Sequence, residues 1–567
     1  MGKKKKAIEL PVQPVKKTPE VQQKEMGQRW YSLKGFQMQA LALIIIGLVC
    51  FANSFYNEYA LDDDIIILKN EYVQQGFKGI PKIMSSDALE SFYKQFFAEQ
   101  ELSGGRYRPL SIVTFAIEQQ LFGSKAAIKP ANDVAFVRHV GNVIFYILSI
   151  VVLLYFLRNF IFKHQVFIAF FTSLLFLIHP IHTEVVANVK SRDEILSFLF
   201  IIATFIAAFR YYETKKYQYL AGGLVFYFFA LLSKEYAITV LVLMPMLFYI
   251  VKKETIAKSI ASALPFFFIA LLYILIRLSI VGVGSTGENQ EVLNNPFLYA
   301  TDIEKLATKI GILDNYLKLL FYPNPLSSDY SFSTIPYSNF ESGWVWLSLI
   351  IHLSLIVAAI ILFIRRNIMS FAITFYLLHL LLVSNLFFDL GATMGERLIY
   401  HSSFGFFILI AIAIDWLLKK IQQPGLQKAL GTIVCCLLVF WCAAKDIKRN
   451  AEWKNSTTLF LTDVKTVPNS VLANGNAGKA LIDQSMLPAN KDKRVKLLDS
   501  AIQYVSKAVI THDKYVNGYL NLGFAYCQLK EFDKAKVYWD KAKELYPQNP
   551  YLPGYYGELG AGYSNKG

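Results

Sequence analysis

The sequence has few cysteines and few charged residues for its length. Only five cysteines occur among 567 residues, at Cys50, Cys435, Cys436, Cys442 and Cys527. Their spacing matches neither a zinc site nor a disulfide framework. Charged residues make up 17% of the chain, hydrophobic residues make up 54%, and the mean hydropathy is +0.37. This composition excludes a soluble globule and indicates a multi-pass membrane protein.

Apolar runs of about 20 residues, each long enough to cross a bilayer, recur along the chain. They predict about eleven membrane spans, at residues 37–56, 134–157, 166–181, 194–211, 217–232, 236–251, 259–281, 343–364, 368–388, 403–418 and 427–444. The sequence therefore predicts an all-α transmembrane domain over residues 37–444.

The distribution of the net charge of +15 predicts how the chain is oriented. Residues 1–36 form a basic tail that is too long and too polar for a cleaved signal peptide, and we expect it in the cytoplasm. Every inner turn then carries lysine or arginine, whereas Lys445, Lys448 and Arg449 after the last span are exceptions. An odd span count puts two loops, 57–133 and 282–342, and the C-terminal domain on the outer face. Nothing supports binding of nucleic acid.

Residues 445–567 are more polar and carry a repeat. Small and aromatic residues fall at tetratricopeptide spacing at Tyr519, Leu522, Gly523, Tyr526, Ala535, Trp539, Ala542 and Pro547. Related positions 34 residues earlier and later predict an irregular repeat before this unit and a truncated one after it. The predicted fold of this region is an α-solenoid.

Three carboxylates, Asp62-Asp63-Asp64, follow the first apolar run directly. Such a run elsewhere would cap a helix or lie in a solvated loop. Here Ile65-Ile66-Ile67 draws it back toward the bilayer, and carboxylates in that position can act as a general base or bind a cation. We interpret Asp62 and Asp63 as catalytic candidates.

A second polar cluster lies between two apolar runs, where ionisable residues commonly mark a site. It begins with His179-Pro180-Ile181-His182-Thr183-Glu184 and ends with Ser191-Arg192-Asp193-Glu194. The histidines could contact substrate or satisfy carbonyl groups at a helix end. Arg192 could bind a phosphate or pair with a neighbouring carboxylate. The spacing of these residues predicts no metal site.

Further cations and carboxylates lie on the predicted outer side. They include Arg106 and Arg108, Lys234 and Glu235, Glu396 and Arg397, and the group Arg138, His139 and Asn142. Singly, each is typical of a side chain that reaches the interface. Together they supply the charges needed to hold an anionic lipid phosphate beside an acidic cluster.

The order of these segments resembles the transmembrane and tetratricopeptide-repeat O-mannosyltransferases and their bacterial relatives. The matching segments are the Asp pair, Arg-Pro-Leu at 108–110, His-Pro-Ile-His-Thr-Glu at 179–184, Ser-Lys-Glu at 233–235 and Glu-Arg-Leu-Ile-Tyr at 396–400. The resemblance covers nearly all of the chain after residue 37, and its most specific segment is His-Pro-Ile-His-Thr-Glu.

This resemblance implies a C-type glycosyltransferase fold and inverting transfer of a sugar from a polyprenyl-phosphate donor to Ser or Thr of an exported protein. Asp62 or Asp63 would be the general base. The donor-phosphate candidates are Arg397, Arg192, Lys234 and Arg108. The side chains expected to line the cavity are His179, His182, Glu184, Glu235, Glu396 and His139.

Other readings stay open. The enzyme could instead use a polyprenyl-pyrophosphate glycan, which would call for a divalent cation such as Mg²⁺ or Mn²⁺, and otherwise no cofactor or metal is expected. A non-enzymatic scaffold with recruiting repeats is a third reading. The expected partners are the lipid-linked sugar, membrane lipids and an acceptor protein. The repeats could take part in binding the acceptor protein. The short repeat array favours a bacterial inner-membrane protein with its site in the periplasm, and a eukaryotic member would lie in the ER membrane.

Overall fold

The computed structural model describes residues 33–96, 105–124, 133–282, 292–387 and 390–565. The predicted basic tail lies almost entirely outside these residues. Within the described residues the chain is helical and contains no β-strand, which confirms the predicted all-α class.

The membrane part contains fourteen main helices among the described residues. They are α1 (Leu33–Phe51), α2 (Pro109–Phe122), α3 (Ala135–Phe156), α4 (Val166–Ile178), α5 (Thr183–Ala187), α6 (Arg192–Thr214), α7 (Tyr217–Ser233), α8 (Val240–Val251), α9 (Ile256–Val281), α10 (Asp302–Phe321), α11 (Gly343–Ile364), α12 (Ile368–Leu382), α13 (Tyr400–Lys419) and α14 (Pro424–Glu452). All of them except α2, α5 and α10 correspond to predicted apolar runs.

Seven of the described helices are long and apolar enough to cross a membrane, namely α1, α3, α6, α9, α11, α13 and α14. An eighth candidate is α4 together with the segment Pro180–Ala187, and the pair is bent by 51°. The remaining apolar helices, α7, α8 and α12, are shorter. The predicted count of eleven spans is therefore not confirmed by helix length.

The turns predicted to face the cytoplasm lie at one end of the bundle, which we call the inner end. There Glu213 contacts Lys252 at 2.7 Å and Lys163 at 3.8 Å. At the opposite, outer end the segment after α1 contacts the end of α14. Asn57 Nδ2 donates a hydrogen bond of 2.9 Å to the carbonyl of Asn450. The first outer loop is thus held against the start of the C-terminal domain.

The helices differ in how much of their surface is buried. Most of α6 and α13 is buried inside the bundle, whereas α9 and α11 expose most of their apolar surface. Side chains such as Leu264 and Leu275 on α9 are exposed, as a lipid-facing helix requires. The central helices α6 and α13 therefore position polar residues at the outer end.

Helix α10 lies in the second outer loop. It begins with a capping box in which Thr301 and Glu304 satisfy each other's backbone N–H groups. One face, including Ala307 and Tyr316, is buried, while Ile303 and Leu306 remain exposed. The helix thus covers the bundle and presents an apolar edge.

The described residues of the C-terminal region form six α-helices: α15 (Ser456–Thr466), α16 (Val471–Met486), α17 (Arg494–Thr511), α18 (Val516–Gln528), α19 (Phe532–Leu545) and α20 (Leu552–Ser564). Helices α16 and α17 pack together, as do α18 and α19. A Cβ atom on Gly523 would lie 2.3 Å from Nε1 of the fully buried Trp539, so the close approach within the second pair requires glycine. These pairs confirm the predicted helical repeats.

Candidate active site

The carboxylate triplet lies in a tight turn after α1. Leu61 adopts a left-handed backbone conformation with φ of 55°, and the N–H of Asp63 donates to the carbonyl of Ala60 at 3.2 Å. Asp64 starts a short helical turn, Asp64–Leu68, and forms an ion pair of 2.7 Å with Lys69. The turn therefore sends the three carboxylates into different environments.

Asp63 points into the protein and is fully buried. Its Oδ1 accepts a hydrogen bond of 2.7 Å from the backbone N–H of Lys190, and its Oδ2 accepts one of 3.2 Å from the N–H of Ala60. Burial raises the pKa of Asp63 to about 7, although these hydrogen bonds oppose the shift. Asp63 thus joins the first outer loop to the start of α6.

Asp62 points to the open side of the turn, and its side chain is 33% exposed. Its Oδ2 lies 3.5 Å from Lys190 Nζ and 3.8 Å from a terminal nitrogen of Arg397. Burial alone would raise the pKa of Asp62, but the charges of Lys190, Arg397 and Arg106 lower it below its ordinary value. Asp62 is therefore an accessible carboxylate that stays ionised at neutral pH, and its ion pairs are loose.

Arg397 lies in the turn that precedes α13 and is held by Glu184 of α5. The Arg397 side chain donates to Glu184 Oε1 at 2.7 Å, and the Arg397 backbone N–H donates to Glu184 Oε2 at 2.9 Å. Glu184 is buried, whereas the Arg397 side chain is 27% exposed. The motifs at 179–184 and 396–400 therefore meet, and they fix the arginine beside Asp62.

The two histidines of the first motif make contacts inside the bundle. His182 Nδ1 lies 2.7 Å from the carbonyl of Phe176 in the last turns of α4, and its Nε2 lies 2.9 Å from Ser403 Oγ. His179 Nε2 lies 3.0 Å from the carbonyl of Leu320. Of the two readings open from the sequence, this geometry favours satisfaction of helix-end carbonyls over contact with substrate.

Two of the predicted phosphate ligands already have partners in the interior. Arg192 is fully buried and donates to Glu118, Asn142, Thr114 and the carbonyl of Arg138. The buried Lys234 pairs with Glu194 of α6. We interpret both cations as structural, because a phosphate could bind them only by displacing close and desolvated partners.

Arg108 directly precedes α2 at the outer end of the bundle. Its guanidinium forms a bidentate ion pair with the Glu235 carboxylate, with N–O distances of 2.6 and 2.9 Å. It also donates to Asp193 Oδ2 at 3.0 Å. The Arg108 side chain is partly exposed and that of Glu235 is more so. Asp193 also lies within electrostatic range of Lys190. The Arg108 pair therefore adjoins the region around Asp62.

The remaining predicted cavity residues support the loops. Glu396 is buried and accepts hydrogen bonds from the Ser327 N–H at 2.5 Å and from the Tyr330 hydroxyl at 2.8 Å, so it anchors the second outer loop. His139 is buried, and its Nε2 lies 3.2 Å from the carbonyl of Glu58. Both side chains therefore hold outer loops in place.

Lys190 was not singled out from the sequence, although it touches both aspartates. It lies in the turn Val189–Ser191 between the two halves of the polar cluster. A signal was present, since it is the lysine enclosed by two ionisable motifs.

Among the residues that the structure describes, no group of three or more His, Cys, Asp or Glu side chains is arranged to hold a metal ion.

Comparison with known proteins gives a consistent result. The family model for the tetratricopeptide repeat matches residues 516–549. The chain is 26% identical over 542 residues to mouse Protein O-mannosyl-transferase TMTC3. The aligned region covers 89% of this chain and 54% of the relative. It is 27% identical over 500 residues to mouse Protein O-mannosyl-transferase TMTC4, which covers 78% and 64% respectively.

A more distant relative is the Caenorhabditis elegans Protein O-mannosyl-transferase F38B6.6, with 23% identity over 79% of this chain and 60% of the relative. The chain thus spans between half and two thirds of the length of these relatives. The similarity includes the membrane bundle as well as the repeats. By sequence similarity and helical architecture together, the homologues of this chain are the transmembrane and tetratricopeptide-repeat proteins named O-mannosyl-transferases.

Proposed function

We propose that the chain is a membrane glycosyltransferase that moves a sugar from a polyprenyl-phosphate donor to Ser or Thr hydroxyls of exported proteins. Mannose is the sugar that the names of the relatives suggest. The observation that carries the proposal is the position of Asp62, which is an ionised and accessible carboxylate beside the partly exposed Arg397 and Lys190. The reaction would occur at the outer end, on the periplasmic or lumenal side.

In the proposed step Asp62 accepts the proton of the acceptor hydroxyl. The hydroxyl oxygen forms a bond to the anomeric carbon while the bond from that carbon to the phosphate oxygen breaks. The lipid phosphate leaves with the bonding electrons, and the configuration at the anomeric carbon inverts. A positioned general base typically contributes a factor of about 10²–10⁴ to such a step.

The cations would stabilise the departing phosphate. Arg397 is the best placed, because Glu184 fixes its orientation while its remaining donors face Asp62 at a loose distance of 3.8 Å. A planar guanidinium suits phosphate oxygens. Lys190 replaces Arg192 and Lys234 in this proposal, and Arg108 lies at the rim. Asp63 would hold the loop rather than exchange the proton with substrate.

The test is sugar transfer by the full chain in membranes supplied with polyprenyl-phosphate mannose and an acceptor protein. Asp62→Asn should reduce transfer by about 10²-fold or more, since the amide cannot accept the proton. Asp64→Asn is the matched control, because Asp64 is adjacent but pairs with Lys69 away from the site. We expect the control to retain activity.

Each alternative has its own outcome in this assay. Full activity of Asp62→Asn would reject Asp62 as the base. Loss of transfer in a chelator, or transfer from a pyrophosphate donor alone, would favour the pyrophosphate reading. Absence of any transfer by well-folded wild-type chain with every donor would favour a scaffold. Normal amounts of the variants in the membrane establish that folding is intact.

A further inference from the structure

One cavity bordered by described residues lies far from Asp62, at the inner end of the bundle. Its volume is about 490 Å³, within the range of about 300–1,000 Å³ that small-molecule sites occupy. It is bounded by α6, α7, α8 and α9 and by the turns between them. Tyr212 at its edge lies twenty positions along α6 from Arg192, which corresponds to about 30 Å. The cavity is therefore separate from the candidate active site.

The lining changes from polar to apolar along the cavity. The charged lining residues lie in the turns and in the first turn of α9, whereas the apolar ones lie farther along the helices. The polar side is lined by Lys215, Glu254 and Lys258, and the apolar side by Phe248, Pro265 and Phe266. On α9, Lys258 and Pro265 are seven residues apart, or about 10 Å. This gradient fits an amphiphile with a polar head and apolar chains.

The charges at the polar side are arranged for an anion. Glu254 accepts a hydrogen bond from the Tyr212 hydroxyl and lies 3.7 Å from Lys258, so the single carboxylate of the lining is already engaged. Lys215 Nζ lies 4.5 Å from the Tyr212 ring centroid and has no carboxylate within ion-pair distance among the described residues. Lys215 and Lys258 are both exposed. The lining thus holds one more cation than anion.

The apolar side is continuous with a lipid-facing surface. On α9, Ile260, Leu264 and Phe267 are exposed next to the lining residues Ala261 and Pro265. Acyl chains could therefore leave the cavity along this surface without contacting water. Neither a free phosphate nor a soluble metabolite would use it.

We propose that this cavity binds the phosphodiester headgroup of an anionic glycerophospholipid from the leaflet at the inner end. The headgroup phosphate contacts Lys215 and Lys258, and the acyl chains follow Pro265 and Phe266 outward. The proposal is independent of the proposed transferase activity, because it uses none of the residues around Asp62. Basic pockets between membrane helices at this depth recognise anionic lipid headgroups by the same chemistry.

The test measures lipid binding by the delipidated full chain in neutral-detergent micelles, with fluorescent phosphatidylglycerol as the probe. Unlabelled phosphatidylglycerol should compete about tenfold or more better than phosphatidylcholine, which carries no net charge. Equal competition by the two lipids would overturn the proposal. This comparison uses the wild-type chain and does not depend on a variant folding.

Two variants locate the site. Lys215→Asn combined with Lys258→Gln should weaken phosphatidylglycerol binding about tenfold or more, because both headgroup contacts are removed, and asparagine tolerates the left-handed conformation of residue 215. The control is Lys216→Gln combined with Lys420→Gln, which removes the same charge at the inner end outside the cavity lining. Equal loss in both pairs would overturn the site in favour of general surface attraction.

A third arm separates a lipid from a free anion. Inorganic phosphate at millimolar concentration should not displace the labelled lipid, because it lacks the acyl chains. Displacement by phosphate as effective as that by phosphatidylglycerol would overturn the lipid assignment. Ala261→Phe fills the apolar side without altering charge and should also weaken binding.

Discussion

The backbone N–H of Leu61 donates a hydrogen bond of 3.1 Å to Ser456 Oγ, so the residue before Asp62 is tied to the first helix of the C-terminal region. Leu61 has φ of 55°, a conformation that non-glycine residues adopt only when their surroundings hold them there. Close by, the Glu58 N–H donates to the carbonyl of Lys454 at 2.8 Å. The geometry of the proposed base therefore depends on residues nearly 400 positions away.

Ser456→Ala should lower the rate of sugar transfer about fivefold to tenfold, because losing one hydrogen bond of about 1 kcal/mol loosens the Asp62 turn. Ser456→Thr, which keeps the hydroxyl, should restore activity. Thr457→Ala is the matched neighbour and should have no effect. The measurement is kcat/KM for the acceptor in membranes with equal amounts of protein. Equal rates for Ser456→Ala and wild type would show that the turn holds without this bond.

The dependence of kcat/KM on pH should distinguish the two aspartates. If Asp62 is the base, its lowered pKa keeps it ionised, and kcat/KM should be nearly constant from about pH 5 to 8. If Asp63 is the base, its pKa of about 7 would make kcat/KM fall roughly tenfold per unit below that pH. We expect the constant profile. A limb near pH 7 in the wild type, together with loss of transfer in Asp63→Asn, would reassign the base to Asp63.

Asp63 should also make stability depend on pH. Its pKa is raised above the ordinary value of 3.8 to about 7, so the folded chain binds more protons than the unfolded chain between these values. This contribution is fully present below about pH 4 and is lost as pH rises through about 7. The thermal midpoint in detergent should therefore fall between pH 5 and 8 more in wild type than in Asp63→Asn. Asp64→Asn should keep the wild-type slope, and an equal slope in all three chains would contradict the prediction.

Glu184→Gln should weaken use of the lipid donor. The neutral amide cannot hold Arg397 in the two-point contact with Glu184, so the arginine loses its fixed orientation. We expect kcat/KM for the polyprenyl-phosphate donor to drop about 10–100-fold, while KM for the acceptor changes little. Glu71→Gln, which alters an exposed carboxylate of the first outer loop, serves as control. A selective rise in acceptor KM would place the pair on the acceptor side instead.

Cysteine labelling should establish the orientation of the bundle. In a background without the native cysteines, Lys534→Cys on α19 should react with an impermeant thiol reagent added from the outer side, and Lys216→Cys at the inner end only after permeabilisation. Both positions are exposed, so access is set by the membrane and not by burial. The reverse pattern would put the repeats in the cytoplasm and refute the predicted orientation.

The helices were predictable from the sequence because an apolar run of about 20 residues is a local signal. The site was predictable only in part. Arg192 has the residue type and position expected of a phosphate ligand, yet its partners Glu118 and Asn142 come from helices 50 or more positions away. A local sequence pattern does not indicate which cation will pair with a carboxylate that is distant in the sequence. For the same reason Lys190 was overlooked, since its importance lies in facing Asp62 across 128 positions of sequence.

Helix α14 runs without interruption from Pro424 in the bundle to Glu452 beside the repeats. Its end is bonded to the first outer loop through Asn450 and to the following helix through Arg449, whose side chain lies 2.7 Å from Asp463. The bundle and the repeats are therefore joined by a rigid helix and not by a flexible linker. A polypeptide held by the repeats would therefore be presented to Asp62 at one fixed distance. The modified hydroxyls of an acceptor should then lie at a constant distance from the segment that the repeats hold.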